Sequence, residues 1–522
     1  MSNDRLLVIL GDQLDRNGPL LRDIDPRSDS VWMAEAPAEA LRGGNHQQRL
    51  VLFFAAMRHL RDELRARGVQ VHYRCIEDEL GRPGDAGTKP GLAELLALDL
   101  TALAPARVAM METGDWQIEA ELTAAIERAG LPLEWHADDH FMASRDAFAR
   151  WAEGRKTLTL EYFYRSMRKR HDILMDAGQP VGGAWNFDRD NREAFGADGP
   201  GALPPHPVFA PDAVTREVMD GVHRHFGDHP GSAHDFDQPV TPAQAQAALA
   251  DFVQHRLAHF GTHQDAIWTG EPLLFHARLS AALNLHLLDP RQCIAAAVKA
   301  WEQGTAPINA VEGFVRQVLG WREFVRGVYW LHMPDYAQHN ALDHQHELPP
   351  CYWDGKTDMA CMADAMSGLL RHGYAHHIQR LMVLGLFAQL YGAHPYRFHE
   401  WHMALYLDAV DWVSLPNALG MSQYGDGGIV GTKPYCASGA YIDRMSNACR
   451  DCRYNPRQAT GDRACPFTTL YWDFLDRHES RLGNNRRLQF QFRNLRRKSE
   501  DERAAIRDEA AALRGRLARG DA

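Results

Sequence analysis

The sequence predicts two folded units of different class: an N-terminal doubly wound parallel α/β domain, then a large all-α domain. Three observations lead there. Short apolar runs alternate with amphipathic helices up to about residue 142. From about residue 240 to 480 the periodicity is almost entirely helical. The chain has 522 residues, too many for one compact core.

The elements follow in order. "LLVIL" (6–10) is a short apolar run closed by Gly11-Asp12. "QRLVLFFAAMRHLRDELRARG" (48–68) places Leu50, Phe53, Phe54, Met57, Leu60 and Leu64 on one helical face, and Gly68 stops it. "VQVHYRCI" (69–76) alternates as a strand; "ARVAMME" (106–112), a helix from Trp116 and "LEWHAD" (133–138) repeat the theme. Binding in such a sheet belongs at the strand C-termini: Gly11-Asp12-Gln13, the 34–46 loop and the segment after Glu112. No G-x-G-x-x-G opens a helix, so an ordinary dinucleotide site is unsupported. The predicted units are 1–142, a loop-rich linker over 143–225, a helical domain over 226–480 and a charged extension over 481–522, read as one or two exposed helices.

Hydrophobic residues are 45% and charged residues 24%, as in a soluble globular enzyme. A net charge of -11 excludes DNA binding driven by overall charge, so a DNA site must be a local basic patch. No apolar run is long enough to cross a bilayer, and "MSNDRLLVILGDQ" lacks the form of a signal peptide. A cytoplasmic monomer with no membrane partner is expected. Thiols stay reduced there, so clustered cysteines read as metal ligands before disulfides.

Cys449-x2-Cys452-x12-Cys465-Pro466 puts two thiols on one tight turn and a third after a short excursion. Tetrahedral metal sites and cubane iron–sulfur clusters both need that pinch. The Cys-Pro ending, and the lack of a nearby second Cys-x2-Cys or His pair, favour iron–sulfur over zinc. A cubane needs a fourth thiolate, from Cys351, Cys361 or Cys436, and spacing does not choose among them.

Four stretches of the helical region carry candidate chemistry. "FHARLSAALN" (275–284) opens a helix that presents Ser280 and backbone N–H groups to a phosphate. "VRQVLGWREFVRGVYW" (315–330) holds Gln317, Trp321 and Arg322; on periodicity alone it is a buried amphipathic helix. "YAHHIQRLM" (374–382) sets His376 and His377 side by side near Arg380, a candidate proton site. "LYLDAVDWVSLPNALGMSQYGDGG" (405–428) mixes Asp408, Asp411, Trp412 and Asn417 with Pro and Gly, suited to a polar heterocycle or simply to a helix end.

Together, R-L-S, Q-x3-W-R-E-F, H-I-Q-R and the D-x2-D-W loop behind a parallel α/β domain resemble the cryptochrome/photolyase family. The branch matched best is the iron–sulfur bacterial (6-4) photolyases and bacterial cryptochromes, through "ILGDQL", "FFAAMRHL", "WNFDRDNR", "GWREFVRG", "AHHIQRLM", "LPNALGMSQYGDGG" and the cysteine set. The resemblance, not spacing, selects Cys361 as the fourth ligand of a 4Fe-4S cluster with Cys449, Cys452 and Cys465. It implies FAD in the helical domain, with Phe275, His276, Leu279, Ser280, Gln317, Trp321, Arg322, Arg380, Asp408 and Asp411 around it. It also implies His376 and His377 facing a lesion, and Trp401 and Trp353 on an electron path for photoreduction.

A 6,7-dimethyl-8-ribityllumazine antenna is implied in the α/β domain, with Asp12 and Glu39 as candidate contacts. The implied partner is UV-damaged DNA, met by Tyr435 at the lesion and by basic side chains around Arg165–Arg170, Arg168 and Lys169 among them, and around Arg486–Lys498, which otherwise read as solvated helix faces. The implied activity is light-driven reversal of (6-4) pyrimidine-pyrimidone photoproducts. The alternatives are a blue-light photoreceptor of cryptochrome type and a light-independent iron–sulfur nucleic-acid-binding protein.

Overall fold

The computed structural model describes residues 4–82, 84 and 88–521. Five strands, β1 (Arg5–Val8), β2 (Asp29–Ala34), β3 (Gln70–Arg74), β4 (Arg107–Met111) and β5 (Leu133–His136), form one parallel sheet in the order β3-β2-β1-β4-β5. Alternation along the first strand and its continuation divides the core. Leu6, Val8 and Leu10 face Trp32, Leu95 and Leu122 on one side. Leu7 and Ile9 face Val31, Met33 and Val51 on the other. The sequence pattern misses β2 as a strand. "DSVWMA" is buried at every position, and a strand covered on both faces shows no alternation.

The strand order reverses at β1, so β1 and β4 open a crevice at their C-terminal ends. Asp115 caps the helix Trp116–Arg128 there, its carboxylate accepting from the Gln117 and Ile118 backbone N–H groups. The helical domain closes on this crevice. The Trp412 N–H donates to the Gly114 carbonyl at 3.0 Å. A Cβ on Gly114 would run into the Asp12 carboxylate and lie 2.9 Å from Val410, so only glycine permits the approach. The helix Arg322–His332 braces the same junction: Arg326 pairs with Glu112 at 2.9 Å, and Glu323 accepts from the Ala143 N–H at 2.8 Å.

Two expectations change. The loop-rich 143–225 segment carries helices at Arg145–Ala152, Leu160–His171 and Ala213–His225. The last packs on the helix Gln47–Ala66, and the first on Arg322–His332. Pro and Gly mark its connections, not a free tether. The charged tail is docked as well: Ile506, Ala510, Leu513 and Leu517 of the helix Glu500–Arg519 are buried against Pro466–Arg477. Part of its charge serves that contact: Arg503 and Arg507 pair with Asp476, and Arg514 pairs with Asp473. Among the described residues, no helix is long and apolar enough to cross a membrane.

Gly327 tests the docking of the 145–152 helix. An added Cβ would fall within the ring of Phe148, which packs edge-on against Phe163 and Phe324. Gly327→Ala should cost about 1–3 kcal/mol through overpacking. Gly515→Ala, whose Cβ meets only the Arg519 side chain at 3.5 Å, should gain about 1 kcal/mol of helix propensity. Thermal midpoints of the two variants should therefore move in opposite directions.

Candidate functional site

Inside the helical domain lies a cavity of about 410 Å³, built from four stretches far apart in sequence: 276–284, 316–322, 374–381 and 408–422. Three of its walls are π-helical turns, Arg316–Trp321, Arg380–Gly385 and Pro416–Ser422. Such turns insert an extra residue into a helix and cluster at functional sites. Each contains a Leu-Gly step, ending at Gly320, Gly385 and Gly420. These glycines make room for close packing. A Cβ on Gly385 would collide with Ser422 of the facing π turn, and one on Gly320 would lie 3.0 Å from the Tyr164 ring. The repeated "VLG", "VLG", "ALG" is the signal that sequence reasoning missed.

An ion pair organises the cavity. Arg380 Nη1 donates to Asp408 Oδ1 at 3.0 Å, and Ser280 Oγ donates to Asp408 Oδ2 at 2.5 Å. Burial pushes the Asp408 carboxyl up, but the Arg380 cation and the hydrogen bonds from Arg380 and Ser280 outweigh it and hold it below the usual carboxylate range. Trp321 Nε1 donates to Asn417 Oδ1 at 2.9 Å, fixing that indole on the wall. Leu279, Gln317 and Arg322 also line the space. Buried polar atoms without a protein partner remain around it: His276 Nε2, Arg322 Nε and Ser414 Oγ. Polar atoms left over in a cavity of this size fit a large polar ligand.

The two histidines separate. His377 lines the cavity and is open to its solvent; enclosure and then the Arg380 cation pull its imidazole down to about 4. His376 does not face the cavity. It is fully buried and stacks on His276 with ring centroids 4.5 Å apart, neither of its nitrogens having a partner. Adjacent residues at a helix start point apart, which the sequence alone does not resolve.

Other expected contacts also move. Phe275 turns away from this cavity into a groove beside His259 and His263. Asp411 sits in a second cavity, where it accepts from Tyr329 at 2.5 Å and pairs with His399 at 2.9 Å. Arg168 is fully buried and donates to the carbonyls of Ile173, Leu174 and Trp185, so it cannot reach a phosphate. Lys169 is exposed, its ammonium 5.4 Å from the Trp185 ring. Tyr435 is half-buried in the field of Arg192, Arg487, Asp265 and Asp188, of which Arg192, Asp265 and Asp188 line the cavity. The 188–192 stretch had read as linker.

The second cavity, about 980 Å³, lies where the β1 and β4 ends meet the helical domain. It brings together Asp12 and Glu39 with Trp353 and Trp401. Burial raises Glu39 and pushes Asp12 up to about 7. Trp353 is 42% exposed, whereas Trp401 is buried and donates to the Tyr352 carbonyl at 2.7 Å. Phe398 stacks on Trp401 with centroids 5.2 Å apart and lines the first cavity, so one aromatic pair separates the two spaces.

Cys361, Cys449, Cys452 and Cys465 line a single small cavity. Burial, then the fields of Cys465, Cys449 and Cys452, hold the Cys361 thiol well above its ordinary value. Gly439 leaves room there: a Cβ would lie 2.8 Å from Cys465 Sγ. Cys351 and Cys436 do not line this space. Among the described residues, no group of three or more His, Cys, Asp or Glu is arranged to hold a metal ion.

The stacked histidines predict a pH dependence. Burial lowers His276 to about 3 and His376 well below the ordinary value. Both bases bind protons less readily folded than unfolded, so stability is full above about pH 6.5 and falls as pH drops through that value. Each group removes about 1.4 kcal/mol per pH unit until its folded pKa is reached. His376→Phe should lower the slope of unfolding free energy between about pH 6.5 and 5 by about one proton. Denaturant melts across that range measure it; an unchanged slope would show that His376 is not held neutral.

Comparison with known proteins accords with this geometry. Residues 7–238 match the family described as deoxyribodipyrimidine photo-lyase-related protein. A (6-4) photolyase of Agrobacterium fabrum is 44% identical over 513 residues, 98% of this chain and 99% of the relative. A bacterial class III photolyase structure from Agrobacterium tumefaciens aligns at TM-score 0.55 and 15% identity, covering 83% of this chain and 82% of that one. A Synechocystis sp. PCC6803 cryptochrome aligns at TM-score 0.52 and 12% identity, covering 93% and 90%. The two structures speak for the fold alone. The near-complete alignment at 44% identity carries the assignment: the chain belongs to the cryptochrome/photolyase family.

Proposed function

We propose that this chain is a (6-4) DNA photolyase, an enzyme that reverses pyrimidine-pyrimidone (6-4) photoproducts with light and FAD. The observation that carries the reading is the 410 Å³ cavity, which gathers Ser280, Trp321, Arg380 and Asp408 around unpartnered buried polar atoms and leaves His377 accessible. The relative at 44% identity is itself a (6-4) photolyase. FAD fits these residues: Ser280 and the adjoining backbone suit its phosphates, and the Arg380–Asp408 pair and Asn417 suit a polar heterocycle. When bound and reduced, FAD supplies one electron on absorbing blue or near-UV light.

The protein's own residues do the rest. Extruding the damaged dinucleotide costs a few kcal/mol, least for a lesion that already stacks poorly. Trp321 and Tyr435 offer aromatic surface in place of the lost stacking. Reversal of a (6-4) adduct returns a hydroxyl group between bases and so requires a proton to move. His377 holds that proton; bound DNA phosphates are anions, and they raise the imidazole from the low value it has in the free protein. Buried His376 keeps the neighbouring wall neutral and takes no part in the transfer.

Two further groups belong to this reading. The four thiols of Cys361, Cys449, Cys452 and Cys465 hold a 4Fe-4S cluster that ties the C-terminal segment to the helix Ala360–His372. A cubane spreads its ligands over four irons, so this thiol set need not converge on one point as zinc requires. The 980 Å³ cavity accepts a lumazine antenna, with Asp12 and Glu39 as hydrogen-bonding groups. Trp401 carries electrons toward oxidised FAD during photoreduction, and Trp353 is the exposed end of that path.

Two experiments test the proposal. Reduced enzyme under blue light should repair defined oligonucleotides bearing a single (6-4) lesion and leave cyclobutane dimers. His377→Ala should abolish that repair while keeping flavin content. Cyclobutane repair alone would overturn the substrate, and no repair of either lesion would favour a photoreceptor.

Elemental analysis tests the cluster. Cys361→Ser should lose iron, because metal binding is part of the folding free energy when a site closes a long loop. Cys351→Ser and Cys436→Ser should keep it. Zinc in place of iron would remove the cluster from the reading.

A further inference from the structure

We propose that Arg486, Phe490, Arg493 and Arg497 form a DNA-docking stripe beside the mouth of the flavin cavity, with the Phe490 ring stacking on a base of the strand flanking the lesion. The inference rests on the photolyase reading and adds a surface to it. Phe490 is 68% exposed, the most exposed of the large apolar rings among the described residues. The core does not require it. Leu488, Phe492 and Leu495 are the buried positions that anchor this segment, and the helix Gln489–Leu495 packs through them on Pro466–Arg477. A lone exposed apolar residue is ordinary. This one has three exposed arginines around it at spacings i-4, i+3 and i+7. None of the three has an ion pair among the described residues, whereas neighbouring Arg496 is paired with Glu479 at 2.7 Å. Guanidiniums without carboxylates, interleaved with an aromatic face, match what single-stranded and distorted DNA offers: phosphates and unstacked bases.

The location supplies the second support. Asn485 donates to the Thr432 carbonyl at 3.3 Å, and Arg487 to Thr432 Oγ1 at 2.5 Å, so the stripe begins on the loop that carries Tyr435. Tyr435 feels both Arg487 and the cavity-lining Arg192. The basic segment therefore starts against the 432–435 loop, beside residues that line the cavity. The 3-10 turn Arg486–Leu488 leads into the helix Gln489–Leu495, and Arg497 follows just past its end, so arginines stand before and after Phe490 along one exposed segment.

Fluorescence anisotropy with the full-length, flavin-loaded protein and a duplex bearing one (6-4) lesion tests this at two salt concentrations. Phe490→Ala and Phe490→Gln should each weaken binding about tenfold with an unchanged salt slope, because base stacking is not electrostatic. Phe490→Trp should restore it. Arg493→Ala should reduce the salt slope by about one. Flavin absorbance should be the same in every variant, as expected of an exposed position. A wild-type protein that neither binds nor repairs lesion DNA defeats the photolyase reading. A wild-type protein that does both, beside Phe490 variants that bind as tightly, overturns the stripe alone. A change in oligomeric state with unchanged DNA binding also overturns it, since the ring would then serve a second copy of the chain.

Discussion

A single buried carboxylate holds the site together. Asp408 accepts from Arg380 and from Ser280, and its backbone carbonyl accepts from Asn284 at 2.8 Å. Three walls of the flavin cavity thereby meet at one residue. Taking such a charge out of water costs several kcal/mol, and only close pairing offsets it. Arg380 is fixed in turn: its Nε donates to the Ala375 carbonyl at 2.6 Å, and its guanidinium lies 4.2 Å from the Tyr406 ring centroid. The arrangement is specific because it is costly. Any movement of the 408 loop away from the 280 helix exposes an unpaired charge in a closed space.

The glycine-containing π turns are the geometric partner of that ion pair. Each π turn inserts an extra residue where its segment lines the cavity, and the Gly385–Ser422 approach packs two of the turns closely together. This explains what was legible in the sequence. Strand–helix alternation and helical periodicity gave both units, because they report which faces are buried. Spacing and family resemblance also singled out segments that the fold brings together, the four cysteines around one small space and the R-L-S, W-R-E-F and H-I-Q-R stretches around one cavity. Depth did not follow. Arg168 and Lys169 are neighbours in a basic run, yet one is buried under three carbonyls and the other is exposed. His376 and His377 divide in the same way, and so do Phe275 and His276. A pattern of residue types ranks segments; the direction of each side chain is set by tertiary packing. β2 was missed for the opposite reason, since complete burial leaves no periodicity to read.

The two large cavities share a thin aromatic wall. Phe398 faces the flavin cavity, Trp401 stacks behind it, and Trp401 and Trp353 open on the interdomain space. Gly114 permits the contact that closes that space, through the Trp412 N–H. The placement of the α/β domain therefore sets the surroundings of the tryptophans as well as those of Asp12 and Glu39. Asp12 and Glu39 on one side and Trp353 and Trp401 on the other are not set on separate modules joined by a linker; they line one junction. The 143–225 segment helps to hold it, because Glu323 and Arg326 reach Ala143 from the same helix that borders the flavin cavity.

Charge then decides when the site is competent. The chain carries a net charge of -11, so DNA approaches against the overall field, and only local cationic surface can offset it. The cavity interior has the opposite bias. Enclosure, and then the Arg380 cation, lower the His377 imidazole. On the photolyase reading, anionic phosphates brought to the rim would raise that imidazole again, which would couple DNA binding to proton transfer.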